Sequence, residues 1–268
     1  MFPSRGLSGL RRRSDGAPSE VSTIAGRRSR VRGGYEVFSI DAPATTAAQR
    51  QTLLRPLIAA SSAAFGVDTS AAWQDRLEAG WFDRITRLVL ITDRRGDVVG
   101  WTSYRRVDLA GRRVLYMDTT GIVPEHQRHR LIPRIQSRLV LRTLAARPWH
   151  SLYVVYRTRN PVVWRGLRRT IGRSAVAPPL HGDPPAWARA VATAVHSHLA
   201  EPGELDARTL AVRGAYARRG AALYGESETP RSGDPDTDRY FDERLGPSDA
   251  FFIVVRATLP RVIAAGRR

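Results

Sequence analysis

Val114-Leu-Tyr-Met-Asp-Thr-Thr-Gly-Ile122 is rich in apolar, β-branched and aromatic residues, and Val123-Pro-Glu-His-Gln-Arg-His-Arg130 behind it is a polar connector. The first run predicts a strand. After the connector, Ile132–Leu144 predicts an amphipathic helix, because Ile132, Ile135, Leu139, Leu141 and Leu144 fall roughly on one face. Pro133 suits the first turn of that helix. Ser151–Tyr156 (SLYVVY) reads as a further strand, and a helix starts near Asn160-Pro161 and runs to about Ile171. Strand, helix and strand in this order imply a parallel crossover of right hand. On the other side, Arg87–Thr92 and Val98–Val107 are strands joined by the turn Arg94-Arg-Gly-Asp97. Leu109-Ala-Gly-Arg112 turns again into Val114–Ile122, which makes an antiparallel meander. A meander followed by a parallel crossover gives an α/β (α+β) fold with a central mixed, mostly antiparallel sheet flanked by helices.

The flanks extend this plan. Tyr35–Ile40 alternates and predicts a strand. Asp41-Ala-Pro43 opens a helix over Ala47–Phe65, and a second helix fits Thr69–Phe82 with Asp68 as N-cap. Ala175–Pro185 is a Pro-rich loop, Ala186–Leu199 is helical, Thr209–Val212 suits a short strand, and Glu226–Asp238 is a polar loop. Asp249–Leu259 (DAFFIVVRATL) is a strong strand. The chain therefore divides into an Arg-, Gly- and Ser-rich disordered tail over 1–34 and one domain over 35–268. A helical insertion at about 184–224 precedes the last strands.

All 43 basic residues are arginine, set against 25 acids, for a net charge of +18 over 268 residues. The absence of lysine hints at a high-GC, bacterial coding sequence. The charge is not uniform: residues 1–34 carry +6 and residues 104–174 carry +13, while the rest is near neutral. A concentrated basic block attracts anions such as phosphates, nucleic acid or an acidic protein. Zero Cys excludes disulfides, thiolate metal sites and a cysteine nucleophile. Leu7–Leu10 is too short for a secretory signal, and no window approaches the ~18 apolar residues of a membrane span. The expectation is a cytoplasmic protein with no membrane segment. His196 and His198 do not share a helix face, so no metal site is expected.

Four motifs in residues 86–172, about a third of the chain, together resemble the GNAT superfamily of N-acetyltransferases. Arg87–Asp97 with Val98-Val-Gly-Trp101 looks like the family's second and third strands. Tyr116–Val123 followed by Pro124-Glu125 looks like its fourth strand and "V-x-P-E" exit. Gln127–Ile132 occupies the place of the pyrophosphate loop, and Arg157-Thr-Arg-Asn160-Pro161 resembles the "T-x-N" entry to its fourth helix. The resemblance implies acetyl-CoA or another acyl-CoA as co-substrate and a small-molecule amine or peptide as acceptor, with no metal. It implies a phosphate and pantetheine site at Ile122, Val123, Gln127, Arg128, His129, Arg130, Leu131, Ile132 and Asn160. It also implies an oxyanion donor on the backbone of Gly121 or Ile122.

Two positions depart from the family pattern. The family loop reads Gln/Arg-x-x-Gly-x-Gly/Ala, whereas Arg130 and Ile132 stand where its glycines would be. Arg128 and Arg130 are then side-chain ligands for phosphate, or the donor is a polyanion such as acyl carrier protein or aminoacyl-tRNA. A non-catalytic binding module is the third reading. Leu167 stands where family members place a tyrosine that acts as general acid. Tyr156 is the substitute candidate, or else a packing aromatic. Asp118 alternates with Tyr116 and Thr120 along the strand and is the candidate base, or else a salt-bridge partner for an arginine.

Overall fold

The computed structural model describes residues 24, 26–31, 33–200, 203–217 and 230–266. Its centre is the strand pair β5 (Arg112–Ile122) and β6 (Leu152–Thr158), parallel and linked by helix α4 (Leu131–Ala145). A parallel pair cannot close through a tight turn, so the helix supplies the crossover. Before β5 come β1 (Gly26–Val31), β2 (Tyr35–Asp41), β3 (Arg87–Thr92) and β4 (Val98–Leu109), each antiparallel to its neighbour. Beyond β6 lie β10 (Ala250–Ala257) and the short pair β9 (Ala211–Arg213) and β8 (Glu204–Asp206). The tiny strand β7 (Val176–Ala177) also pairs with β10. The sheet is mixed and mostly antiparallel, with β5–β6 as its parallel joint.

Helices cover both faces. On the front lie α4, α5 (Pro161–Ile171), α7 (Pro235–Arg244) and α8 (Leu259–Gly266), packed on Leu115, Met117 and Val154. On the back, α1 (Ala47–Phe65), α2 (Ser70–Glu78) and α3 (Trp81–Arg84) cover β2–β4, and α6 (Ala186–Leu199) covers Tyr116, Val155 and Val254. Strand β10 is buried on both faces, since Phe251, Phe252, Ile253 and Val254 are all fully shielded. Each such side chain stabilises the fold by about 1.5–3 kcal/mol.

Local chemistry sets the ends of these elements. Thr46 and Gln49 form a reciprocal capping box that starts α1, and Gly66 ends it in the left-handed region. The β4–β5 hairpin turns through Ala110 and Gly111, both at positive φ, the geometry that matches the strands' twist.

Several expectations need correcting. The folded part begins upstream of Tyr35, because Gly26–Val31 pairs in full register with β2 and Arg28 and Arg30 bond Glu36. Residues 1–23 of the expected tail lie outside the described residues. The stretch Thr69–Phe82 is two helices, since Gly80 at φ 68 breaks it. Thr69, not Asp68, sits at the N-cap, and Asp68 accepts from the Ser70 N–H and hydroxyl. The insertion is not wholly helical: α6 is followed by the β8–β9 hairpin, which extends the main sheet. Residues 201–202 and 218–224 of it lie outside the described residues. Part of the expected polar loop is helix α7, entered by Asp234 and Pro235 with Asp236 and Asp238 in the first turn. Those are helix-start signals that the reading of a loop overlooked.

Candidate active site at the β5–β6 divergence

The site begins with a fault in a ladder. Thr102 pairs with Thr120 and Tyr104 with Met117, so Asp118 and Thr119 together oppose Ser103 alone. This is a β-bulge in β5, and it leaves one residue's backbone unpaired. The buried Ser103 side chain compensates: its hydroxyl accepts from Thr119 N–H at 3.2 Å and donates to Thr119 C=O at 3.4 Å.

The bulge also shifts the alternation of side chains, so Asp118 and Thr120 do not share a face. Thr120 turns to the front, with its hydroxyl 2.8 Å from that of Thr102 and 3.5 Å from the Gln136 amide nitrogen. Asp118 turns to the back, where Arg105 Nη2 lies 2.6 Å from Oδ2 and Trp81 Nε1 donates to Oδ1 at 2.9 Å. Both partners of the ion pair have side chains only 8% exposed. Burial works to raise the Asp118 pKa, yet the Arg105 charge and the Trp81 hydrogen bond outweigh it and hold the carboxyl below its ordinary value. A carboxylate in that state is a weak proton acceptor. Behind it, Trp73, Trp81 and Trp101 pack edge to face in a fully buried layer. Gly121 is required there, because a Cβ would overlap the Trp101 ring.

At Met117–Tyr156 the β5–β6 pairing stops, while β5 continues for five residues, Asp118–Ile122, bonded to β4 alone. Val123 N–H donates to Val99 C=O, which makes Gly100–Ile122 a non-hydrogen-bonded pair and Trp101–Gly121 a hydrogen-bonded one. Gly121 N–H is thus spent on β4. Alternation turns the Thr120 and Ile122 backbone groups toward the opening. Of the two oxyanion candidates, only Ile122 has its N–H on the correct side.

A 3-10 turn, Pro124–His129, leads from β5 to α4. Arg130 follows at φ 53, ψ 34, the left-handed conformation that glycine adopts most readily. The backbone shape associated with glycine is therefore present, carried by an arginine. No side chain caps α4, and Leu131 and Ile132 present first-turn N–H groups, whereas Pro133 has none. The side chain of Leu131 is buried and Ile132 packs beside it, so these two offer backbone only. Arg128, His129 and Arg130 are exposed, and neither arginine has an ion-pair partner among the described residues. Such a set fits a pyrophosphate: free N–H groups, a positive dipole end and two unpaired guanidiniums. Gln127 Nε2 donates to Ile122 C=O at 3.4 Å, and the Tyr35 hydroxyl lies 2.8 Å from His126 Nδ1, tying the turn to β5 and β2. Burial raises the Tyr35 pKa, so this phenol stays protonated.

Across the opening, Tyr156 stands at the last position of β6 that pairs with β5 and donates to Gln136 Oε1 at 3.4 Å. Burial pushes its pKa up, and the hydroxyl keeps its proton at neutral pH. Gln136 also reaches Thr102 and Thr120, which makes it the hub of the front side of the site. Asn160 caps α5: its Oδ1 accepts from Val162 N–H at 2.9 Å, which leaves its NH₂ without a partner among the described residues. Leu167 packs into the front core. Gln136, Arg105, Trp81 and Ser103 went unrecognised in the sequence. Only Gln136 carried a signal, as a polar residue beside Ile135 on the inner stripe of α4.

No protein-family model and no curated protein matches the chain. Among solved structures it is similar to a GNAT family N-acetyltransferase from Escherichia coli in complex with CoA (18% identity, 53% of this chain and 68% of that one, TM-score 0.30). It is also similar to the ribosomal-protein-S18-alanine N-acetyltransferase of Escherichia coli (13% identity, 84% and 94%, TM-score 0.38). A third is the N-myristoyltransferase of Saccharomyces cerevisiae with bound myristoyl-CoA (15% identity, 54% and 34%, TM-score 0.34).

Proposed function

We propose that the chain is a GNAT-type N-acyltransferase that moves an acetyl or other acyl group from acyl-CoA to an amine in a ternary complex. The observation that carries this reading is the end of the β5–β6 ladder at Met117–Tyr156, which leaves Asp118–Ile122 with a backbone edge that no strand pairs, beside the uncapped start of α4. A pantetheine arm has two amides and adds to such an edge as a short strand. Its pyrophosphate then meets the N–H groups of Leu131 and Ile132 and the side chains of Arg128 and Arg130.

The chemistry follows from the placement. A neutral amine attacks the thioester carbon, a C–N bond forms, and the carbonyl oxygen becomes an oxyanion held by Ile122 N–H. The C–S bond then breaks, and the thiolate takes the Tyr156 phenolic proton. The proton shed by the acceptor nitrogen restores the phenol through water. Asp118 does not act as the base. It is a positioning residue that fixes the bulge through Arg105 and Trp81.

Calorimetry with acetyl-CoA tests the reading. Binding heat is expected, together with a rise in Tm. Neither heat nor a Tm shift at millimolar ligand would overturn it.

A further inference from the structure

A second feature lies on the front face, away from the start of α4. Between α4, from Ile135 onward, and the uncovered front of β1–β5 runs a groove of about 620 Å³. Seven arginines and one acid, Asp108, line it. Arg87 is paired with Asp41. The other six, Arg27, Arg106, Arg113, Arg138, Arg142 and Arg147, have no ion-pair partner among the described residues. They come from β1, β4, β5, α4 and the turn after it, so the fold brings together charges that the sequence scatters over 120 positions. Arg113 records the crowding: it donates to the Thr143 and Arg147 carbonyls, and its Nε is buried without a partner. Desolvation and the charge of Arg147 both lower its pKa. An anion in the groove relieves that repulsion.

The floor supplies neutral donors. Tyr104, flanked by Arg87, Arg106 and Arg142, and the Ser29 and Ser39 hydroxyls face the groove with no hydrogen bond among the described residues. A second hollow of about 350 Å³ shares Asp108, Arg113 and Arg147 with the first, so the two form one surface. The loop that borders it carries Trp149, which is 93% exposed. So exposed an indole packs on almost nothing among the described residues. Its flat face, beside a track of unpaired guanidiniums, has the form of a base-stacking platform next to a phosphate track.

We propose that this surface binds a single-stranded polynucleotide, with the arginines on its phosphates and Trp149 stacked on a base. Unpaired bases are free to stack, whereas those of a duplex are already stacked on each other. An acidic protein segment would satisfy the guanidiniums but would leave the indole unused. The groove adjoins the proposed acyl-CoA cleft and shares Thr102 and Gln136 with it, but the six arginines and Trp149 lie outside the residues assigned to acyl-CoA, so binding at the two is measured independently.

The test is fluorescence anisotropy of the full chain with a labelled oligouridylate of about 12 nucleotides, within the range of known single-strand site sizes. Affinity should fall with salt at a log–log slope of about −3 to −4, at about 0.7 per phosphate neutralised. Arg138→Ala with Arg142→Ala should make that slope shallower by about 1.4. Trp149→Ala should weaken binding about tenfold with the slope kept. Arg169→Ala, exposed on α5, controls for net charge and should change little. The proposal is overturned if the groove and Trp149 variants bind as tightly as the parent, or if Arg169→Ala loses as much as they do. It is equally overturned if a duplex of the same length or a poly-glutamate peptide competes as well as the single strand. All the substituted side chains are exposed, and an unchanged Tm and far-UV circular dichroism spectrum would separate loss of the groove from loss of the fold.

Discussion

The two halves of β5 do opposite work. From Arg113 to Met117 the strand is bonded on both edges, and Leu115 and Tyr116 are fully buried, one on each face. From Asp118 to Ile122 it is bonded on one edge, and up to Gly121 its side chains are small or polar. The first half spends its backbone on the sheet and its side chains on the core. The second keeps one backbone edge free and spends its side chains on holding that edge in place. The divide falls at the bulge, where Ser103 satisfies the unpaired backbone and Arg105 holds Asp118. A strand thus becomes a binding edge when a neighbouring strand's side chains take over part of its hydrogen bonding.

The largest expected effect comes from breaking the support of the second half. Arg105→Ala leaves the buried Asp118 carboxylate with the Trp81 hydrogen bond and the weaker influence of the Arg76 charge, and should cost about 3–5 kcal/mol in denaturant unfolding. It should also weaken acetyl-CoA binding, because the bulge loses its anchor. The pH dependence has a definite sign. In the parent, the Asp118 pKa is depressed, so its contribution is complete at neutral pH and fades as pH falls below the ordinary carboxylate range. Without Arg105, burial raises that pKa, and the penalty grows as pH rises. The gap between parent and variant should therefore narrow in acid. A gap that is equal at neutral and acidic pH would break the link between ion pair and bulge.

Next in size is Tyr156→Phe, which touches the mouth of the opening and leaves both halves of β5 intact. The turnover number should fall about a hundredfold. Stability should change by about 1 kcal/mol or less, since only the long bond to Gln136 is lost. Acetyl-CoA affinity should be unchanged. A fall in affinity without a fall in turnover would make Tyr156 a packing residue and remove it from the mechanism.

The first half of β5 was legible from sequence and the second was not, and the reason is physical. Periodicity reports burial, and Val114–Met117, Ala47–Phe65 and Ala186–Leu199 bury regular faces, so those elements lie where the pattern puts them. A bulge has no such signature. Asp118, Thr119 and Thr120 read as continued alternation, and the shift is created by Ser103 on another strand. The Arg105–Asp118 contact likewise needs the register of a hairpin before it can be seen. Gly80 ended a helix that the apolar pattern would have continued, because a left-handed residue outweighs propensity. Arg27, near the start of the chain, joins Arg142 in one groove only because the sheet folds them together.

The smallest effect is the most discriminating. Asn160 opens α5 on the far side of the divergence, and the two ends of its amide differ: Oδ1 caps the helix, and the NH₂ has no partner among the described residues. Asn160→Ala removes both, and should lower stability by about 1 kcal/mol along with acyl-CoA affinity. Asn160→Asp keeps an oxygen for Val162 N–H and adds a charge that the helix start favours, but it has no donor. Its stability should match the parent while its affinity for acetyl-CoA falls. If both affinities track stability instead, the residue serves the helix alone. The free edge of β5 would then bind the pantetheine arm without help from β6, and the contrast between holding and presenting would belong to β5 by itself.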